Sequence, residues 1–170
     1  MLHSLALFAL LAVTAAHAPA HPRAGAALGT IAIPRIRLVA PLTQAGPDIY
    51  TNPWPRELDR GPAHEPDTAL PWQRGVVGIA GHRTTWTHPF RWLNRLHRGD
   101  GVILRTRWGR FRYRVVGVRI VRPTNTRILF HRFGHRLVLT ACAPPGSARY
   151  RIAVTGKLVS VRLRRKTITG

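Results

Sequence analysis

The stretch Val102-Ile103-Leu104-Arg105-Thr106-Arg107-Trp108-Gly109-Arg110-Phe111-Arg112-Tyr113-Arg114-Val115-Val116 decides the fold class. In its second half Arg110, Arg112 and Arg114 alternate with Phe111, Tyr113 and Val115. A period of two sends alternate side chains to opposite faces of a pleated strand, so one face takes rings and valine and the other takes guanidinium groups. Trp108-Gly109 is the turn between two such strands, and the whole reads as a hairpin in a half-buried antiparallel sheet.

Working outward, short apolar runs recur. Val76 to Ala80, Val118 to Val121, Leu137 to Ala141, Ile152 to Val154 and Leu158 to Leu163 each have strand length, and the 15 glycines and 14 prolines of the chain punctuate them. Ile31 to Leu42 also alternates, but Pro34 and Pro41 interrupt it, so edge strands are expected there. Asp48 to Gln73, rich in Pro, Trp, Asp and Gly, reads as a long ordered loop with one helical turn. Behind Pro89, Phe90, Leu93 and Leu96 are spaced for one short amphipathic helix. No internal repeat is visible. Many short strands with few helices predict an all-β fold, and a closed or nearly closed barrel would dispose of their edges.

The 170 residues suffice for one domain with a substantial core. Leu2 to Ala16 is almost unbroken in its apolarity and is followed by small residues at Ala16, Ala18 and Ala20, the pattern of an export leader. It is shorter than the roughly 20 residues of a spanning helix. The organisation expected is therefore 1–20 as signal peptide or short membrane anchor, 21–30 as linker, 31–161 as the folded domain and 162–170 as a basic tail.

Lys and Arg number 27 against 6 Asp and Glu, a formal charge of +21, and every acidic residue lies between Asp48 and Asp100. Such a field draws polyanions: nucleic acid, an anionic membrane face or an anionic wall polymer. The leader disfavours DNA. The arginine and aromatic alternation of the hairpin would suit phosphate contacts and stacking, although a solvated sheet face is the more ordinary source of that pattern. So few acids argue against a calcium site, which needs several oxygen ligands. His131 and His135 have metal-like spacing with no carboxylate or second cysteine to complete a set, so they are taken as structural and no metal or cofactor is expected.

Cys142 is the only cysteine. In an exported chain it is a buried passenger, half of an intermolecular bridge, or a nucleophile. It ends one apolar run, His82 follows the end of another, and Arg151 begins a third nine positions after the cysteine. Thiolate, imidazole and guanidinium have complementary chemistry: attack, protonation of a leaving amine, and fixed donors for a carbonyl or oxyanion.

These residues sit in motifs that resemble the sortases, the cysteine transpeptidases of Gram-positive envelopes, and among them the class E enzymes of actinobacteria. The resemblance is carried by Ile33-Pro34-Arg35-Ile36, Gly61-Pro62-Ala63-His64, Thr68-Ala69-Leu70-Pro71, Ile79-Ala80-Gly81-His82-Arg83-Thr84-Thr85, Pro89-Phe90 with Leu93 and Leu96, Gly99-Asp100, and Leu139-Thr140-Ala141-Cys142 with Pro144, Ser147, Ala148 and Arg151. It spans roughly Ile31 to Leu158 in family order. It implies an eight-stranded β-barrel with one or two short helices, with Cys142, His82 and Arg151 catalytic. Arg149 is the alternative arginine. Thr140, Ala141, His64 and Arg149 are expected to bind substrate. The implied substrate is a sorting-signal peptide of the Leu-(Ala/Pro)-X-Thr-Gly type, cut between Thr and Gly, with an amine of peptidoglycan or pilin as acceptor. Ala141 departs from the family's usual Thr before the cysteine, so an inactive homologue stays open. So does an exported basic module that binds an anionic wall polymer, with Cys142 as a buried small residue.

Overall fold

The computed structural model describes residues 22–50, 56–130 and 134–164. Eight strands form a closed barrel: β1 (Ala27–Ile33), β2 (Leu38–Gln44), β3 (Ala63–His64), β4 (Gly75–Ala80), β5 (Gly101–Thr106), β6 (Gly109–Val121), β7 (His135–Ala143) and β8 (Tyr150–Leu163). Their order around the barrel is β1-β2-β3-β4-β7-β8-β6-β5, and β5 closes onto β1. β2 with β3 and β4 with β7 are the parallel pairs.

The alternation read from the hairpin holds. Val102, Leu104, Phe111, Tyr113 and Val115 point into the barrel with Ile31, Ile33, Val77, Ile79, Leu137, Leu139, Ile152 and Val154. Arg110, Arg112 and Arg114 point out. Closure removes the edges expected at Ile31 to Leu42, since β1 lies between β2 and β5 and β2 between β1 and β3. Pro41 is tolerated because β3 meets β2 only at Thr43 and Gln44, so Pro41 has a neighbour on one side alone.

Three other expectations change in form. The helix behind Pro89 is a 3-10 turn at Leu93–Arg95. Phe90, Leu93 and Leu96 are three residues apart, the 3-10 repeat, and all three are buried under one end of the barrel. The long loop contains 3-10 turns at Pro47–Tyr50 and Arg56–Arg60 and the short strand β3. The runs Val118 to Val121, Ile152 to Val154 and Leu158 to Leu163 are not separate strands. Register shifts at Val115/Gly117 and Arg112/Tyr113 let β6 and β8 run continuously while absorbing one extra residue each. The leader Leu2 to Ala16 and His131 lie outside the described residues, and no helix among those described is long and apolar enough to cross a membrane.

The seam that closes the barrel depends on Gly29. Its φ is +137°, and a Cβ there would stand 1.9 Å from the carbonyl oxygen of Arg105 on β5. Gly99 also has positive φ, +99°, but open space around it. Gly99→Ala is therefore expected to cost only the conformational term, about 1 kcal/mol. Gly29→Ala adds a backbone collision and is expected to cost about 3 kcal/mol or more. Thermal melts of the two variants test this, and equal losses would mean that β1 and β5 are not closely apposed.

Candidate active site

β7 and β8 pair so that Cys142 stands opposite Arg151, and Ala141 opposite Ile152. Ala141 and Ile152 belong to the core, so alternation turns Cys142 and Arg151 to the outer face of the barrel. Cys142 is half-buried. Arg151 Nη1 donates to the carbonyls of Ala148 (2.9 Å) and Tyr150 (3.1 Å), which folds the guanidinium over the return loop and leaves Nη2 and Nε to face other partners.

β4 runs parallel to β7, with Ala80 beside Thr140, so the residues that follow β4 emerge next to Cys142. The Gly81 amide donates to the Thr140 carbonyl at 3.1 Å. Gly81 has no side chain because the Phe90 ring lies where it would be, 2.7 Å from an added Cβ. His82 follows, 8% exposed, with Nε2 at 3.3 Å from the Asp59 carboxylate. Arg83 is 6% exposed; Nη1 donates to the Cys142 carbonyl (3.3 Å) and Nη2 to Asn94 Oδ1 (3.0 Å). Neither acceptor is charged. Burial pulls this guanidinium below its ordinary range, and the neighbouring Cys142 acts in the opposite sense, because a thiolate stabilises the cation.

The connection from β6 to β7 walls the site. Its 3-10 turn, Thr126–Leu129, is pinned by Leu129, which is buried against Val76 and Val138 on the outer face of the sheet. Gly78 makes room for it: an added Cβ would meet Thr68 Cγ2 at 2.9 Å and Leu129 Cδ2 at 3.1 Å. Below this wall is a cleft of about 600 Å³ that His82, Arg83, Thr140, Ala141, Cys142 and Arg151 line together. Glu65 also lines it; its carboxylate, 3% exposed as a residue, accepts from the Thr140 hydroxyl at 3.2 Å.

Cys142, His82, Arg151, Thr140 and Ala141 thus share one cleft. Ala141 contributes backbone there, since its side chain is turned to the core, which makes the absent Thr hydroxyl a change inside the barrel. Arg149 is exposed, outside the cleft lining, with its guanidinium 5.5 Å from the Tyr150 ring. His64 does not line the cleft. It is 0% exposed, with Nδ1 at 2.9 Å from Gln44 Oε1 and Nε2 at 2.9 Å from the Ala69 carbonyl oxygen. It ties β3 to β2 and to the loop before β4. His135 bonds the Gln73 carbonyl at 3.0 Å. Glu65 and Arg83, which line the cleft, and Asp59, which bonds His82, were not singled out by sequence reasoning. Arg83 could have been found, because it stands next to His82 on a strand end already assigned to the site.

A closed eight-stranded barrel with a half-buried cysteine opposite an arginine, and a histidine delivered by the parallel neighbour, defines a class of cysteine enzyme. Residues 31–159 match the Sortase domain family, and the chain belongs to the sortase family. It is 31% identical to sortase SrtE1 of Streptomyces coelicolor over 84% of its length and 32% identical to sortase D of Bacillus subtilis over 82%. It spans 43% of the first relative and 67% of the second. In three dimensions it superposes on sortase E1 of S. coelicolor, solved with a tripeptide in the active site, with a TM-score of 0.71 and 28% identity over 86% of this chain and 96% of that one. Sortase E of Streptomyces avermitilis gives 0.70 and 27% over 84% and 93%.

The Arg83 contact has a measurable consequence. Removing a buried cation beside a thiol disfavours the thiolate, so Arg83→Gln is expected to slow alkylation of Cys142 by iodoacetamide at pH 7 by roughly threefold to tenfold. Arg83→Lys, which keeps the charge but loses the planar fork, should fall between. A parental rate in a folded Arg83→Gln protein would remove the electrostatic role.

Proposed function

We propose that this chain is a cysteine transpeptidase that cleaves a sorting signal of the Leu-(Ala/Pro)-X-Thr-Gly type and passes the acyl group to an amine of the cell envelope. The observation that carries the reading is the registered pair Cys142 and Arg151 in one cleft with His82, on a barrel of the sortase family. Cys142 Sγ attacks the Thr carbonyl carbon. The carbonyl oxygen takes up negative charge as the C–S bond forms, and the free N–H groups of Arg151 are its donors. Collapse breaks the Thr–Gly bond, His82 gives a proton to the departing Gly amine, and a thioester remains. An incoming amine attacks that thioester, loses a proton to His82 and leaves as the new amide, which restores the Cys142 thiolate beside a His82 that again carries the proton for the next leaving amine.

Asp59 orients the imidazole in this scheme. While its carboxylate holds Nε2, Nδ1 is the nitrogen left for substrate. Arg83 holds the Cys142 carbonyl and so fixes the backbone that carries the nucleophile. Glu65, bonded to Thr140, gives the cleft a carboxylate for amide or amine N–H groups of a bound peptide. The acceptor amine belongs to a peptidoglycan stem peptide or a pilin, and the site faces outward at the cell envelope.

Mass spectrometry of the full chain incubated with a small library of sorting peptides tests the reading. A thioester adduct on Cys142 is expected, absent in Cys142→Ala. Arg151→Ala should reduce kcat/KM by about 10²-fold to 10³-fold, the scale for losing an oxyanion donor, and Arg149→Ala by less than about threefold. Equal losses at the two arginines would undo the assignment of Arg151, and no adduct with any peptide would undo the reaction class.

A further inference from the structure

A second cleft, of about 340 Å³, adjoins the first. Arg83 and Thr84 line both, and Pro145, three residues past Cys142, brings the return loop to the second. Its remaining wall is Arg91, Trp92 and Asn94. The sequence puts them there because Phe90, Leu93 and Leu96 are buried at a spacing of three, which leaves Arg91, Trp92 and Asn94 on the outer side of the 3-10 turn. Arg91 lies over the Trp92 ring, 5.0 Å from its centre, so its guanidinium is placed by stacking.

The polar side chains of this second cleft are donors, apart from the Thr84 hydroxyl, which can act either way. Asn94 Oδ1 is taken by Arg83 Nη2, which leaves Asn94 its amide N–H groups. Two guanidinium groups add theirs, and among the described residues no carboxylate lines the cleft. Such a wall fits a ligand that only accepts hydrogen bonds, and guanidinium forks favour a carboxylate. Arg83 gives the reason for the ligand to be charged. Its two acceptors, the Cys142 carbonyl and Asn94, are neutral, and its Nε is buried with no hydrogen-bond partner among the described residues. The anion that balances it is Cys142 itself, as thiolate. Acylation turns that sulfur into a neutral thioester, so Arg83 loses its counter-charge at the stage when the acceptor amine must bind. A carboxylate carried in by the acceptor replaces it.

We propose that the second cleft binds a carboxylate of the amine acceptor, so that the acyl-enzyme selects amines that carry a carboxylate of their own. The inference rests on the transpeptidase reading above. Of the acceptors considered there, a stem peptide with a free carboxylate near its amine suits the cleft, whereas the side chain of a pilin lysine has no carboxylate of its own. The test loads the full chain with a sorting peptide and supplies γ-aminobutyrate or ε-aminohexanoate, each against its own amide, with aminolysis and hydrolysis products quantified by mass spectrometry. In at least one pair kcat/KM for the acid is expected to exceed that for the amide by about tenfold, the scale of a hydrogen bond to a charged group, and the preference should shrink as salt is raised. Arg91→Gln should bring the ratio to within about twofold of unity. Arg95→Gln should keep it, since Arg95 lies over the same Trp92 ring but outside the cleft. Comparing acid-to-amide ratios between variants cancels the intrinsic basicity of each amine. A parent chain that forms the Cys142 thioester and uses acid and amide alike overturns the proposal. So do equal losses at Arg91 and Arg95, which mean general charge attraction, and a preference for aminopropylphosphonate over γ-aminobutyrate, which removes the carboxylate. A chain that forms no thioester fails one step earlier and takes the transpeptidase reading with it.

Discussion

Antiparallel pairing of β7 with β8, with Cys142 across from Arg151, is the constraint on which the site rests. Side chains alternate along both strands, so the two residues can share the outer face only if Ala141 and Ile152 share the inner one. A slip of one residue would put Leu139 and Val154 into solvent and the thiol into the core. The register is held by that apolar penalty, with Leu137, Leu139, Ile152 and Val154 all buried. Parallel pairing of β4 with β7 then fixes where His82 leaves its strand. Cys142 and its neighbours in the cleft are thus placed by core packing on the opposite side of the sheet.

Electrostatics is divided between two regions. Near Cys142 the cations are few and confined: Arg83 is buried with a carbonyl and an amide as acceptors, and Arg151 is folded over its own loop. A buried guanidinium without a carboxylate partner is an expensive arrangement, and it is compensated when the adjacent sulfur carries negative charge. Elsewhere the charge is spread over an outer sheet face in rows that repel one another. Two of the six carboxylates stand at the cleft, where Asp59 meets His82 and Glu65 meets Thr140. High net charge therefore gives no uniform field around the protein.

Much of the fold was legible from period-two alternation, because a strand buried on one face records its burial residue by residue. The hairpin around Trp108-Gly109, the run ending at His82 and the run ending at Cys142 are where they were expected. Element type was misjudged where one spacing suits two structures: Phe90, Leu93 and Leu96 satisfy a helix face loosely and a 3-10 face closely. Strand continuity was misjudged where a bulge interrupts the period, as at Val115/Gly117. Pro41 does mark a position with a strand neighbour on one side alone, and Pro34 begins a 3-10 turn after β1, but proline reports a missing donor only locally, while closure of the barrel is settled at a distant seam, Gly29 against Arg105.

The sequence by itself determined which segments alternate, which face of each is apolar, and that a single thiol stands beside motifs of a known family, because these depend on neighbours within a few residues. Tertiary structure decided that His82 lines the cleft with Cys142, as its motif implies, while His64, expected to bind substrate, closes the core instead. His64 and His82 both lie at strand ends, yet pairing puts one between Gln44 and Ala69 and the other beside Asp59. It also decided that Glu65 and Arg83 join the cleft, that Asp59 bonds His82, and that Arg149 stays outside. Those outcomes come from contacts between residues tens of positions apart, whose register is set by burial of side chains on the far side of each strand, and no local pattern in the chain encodes that sum.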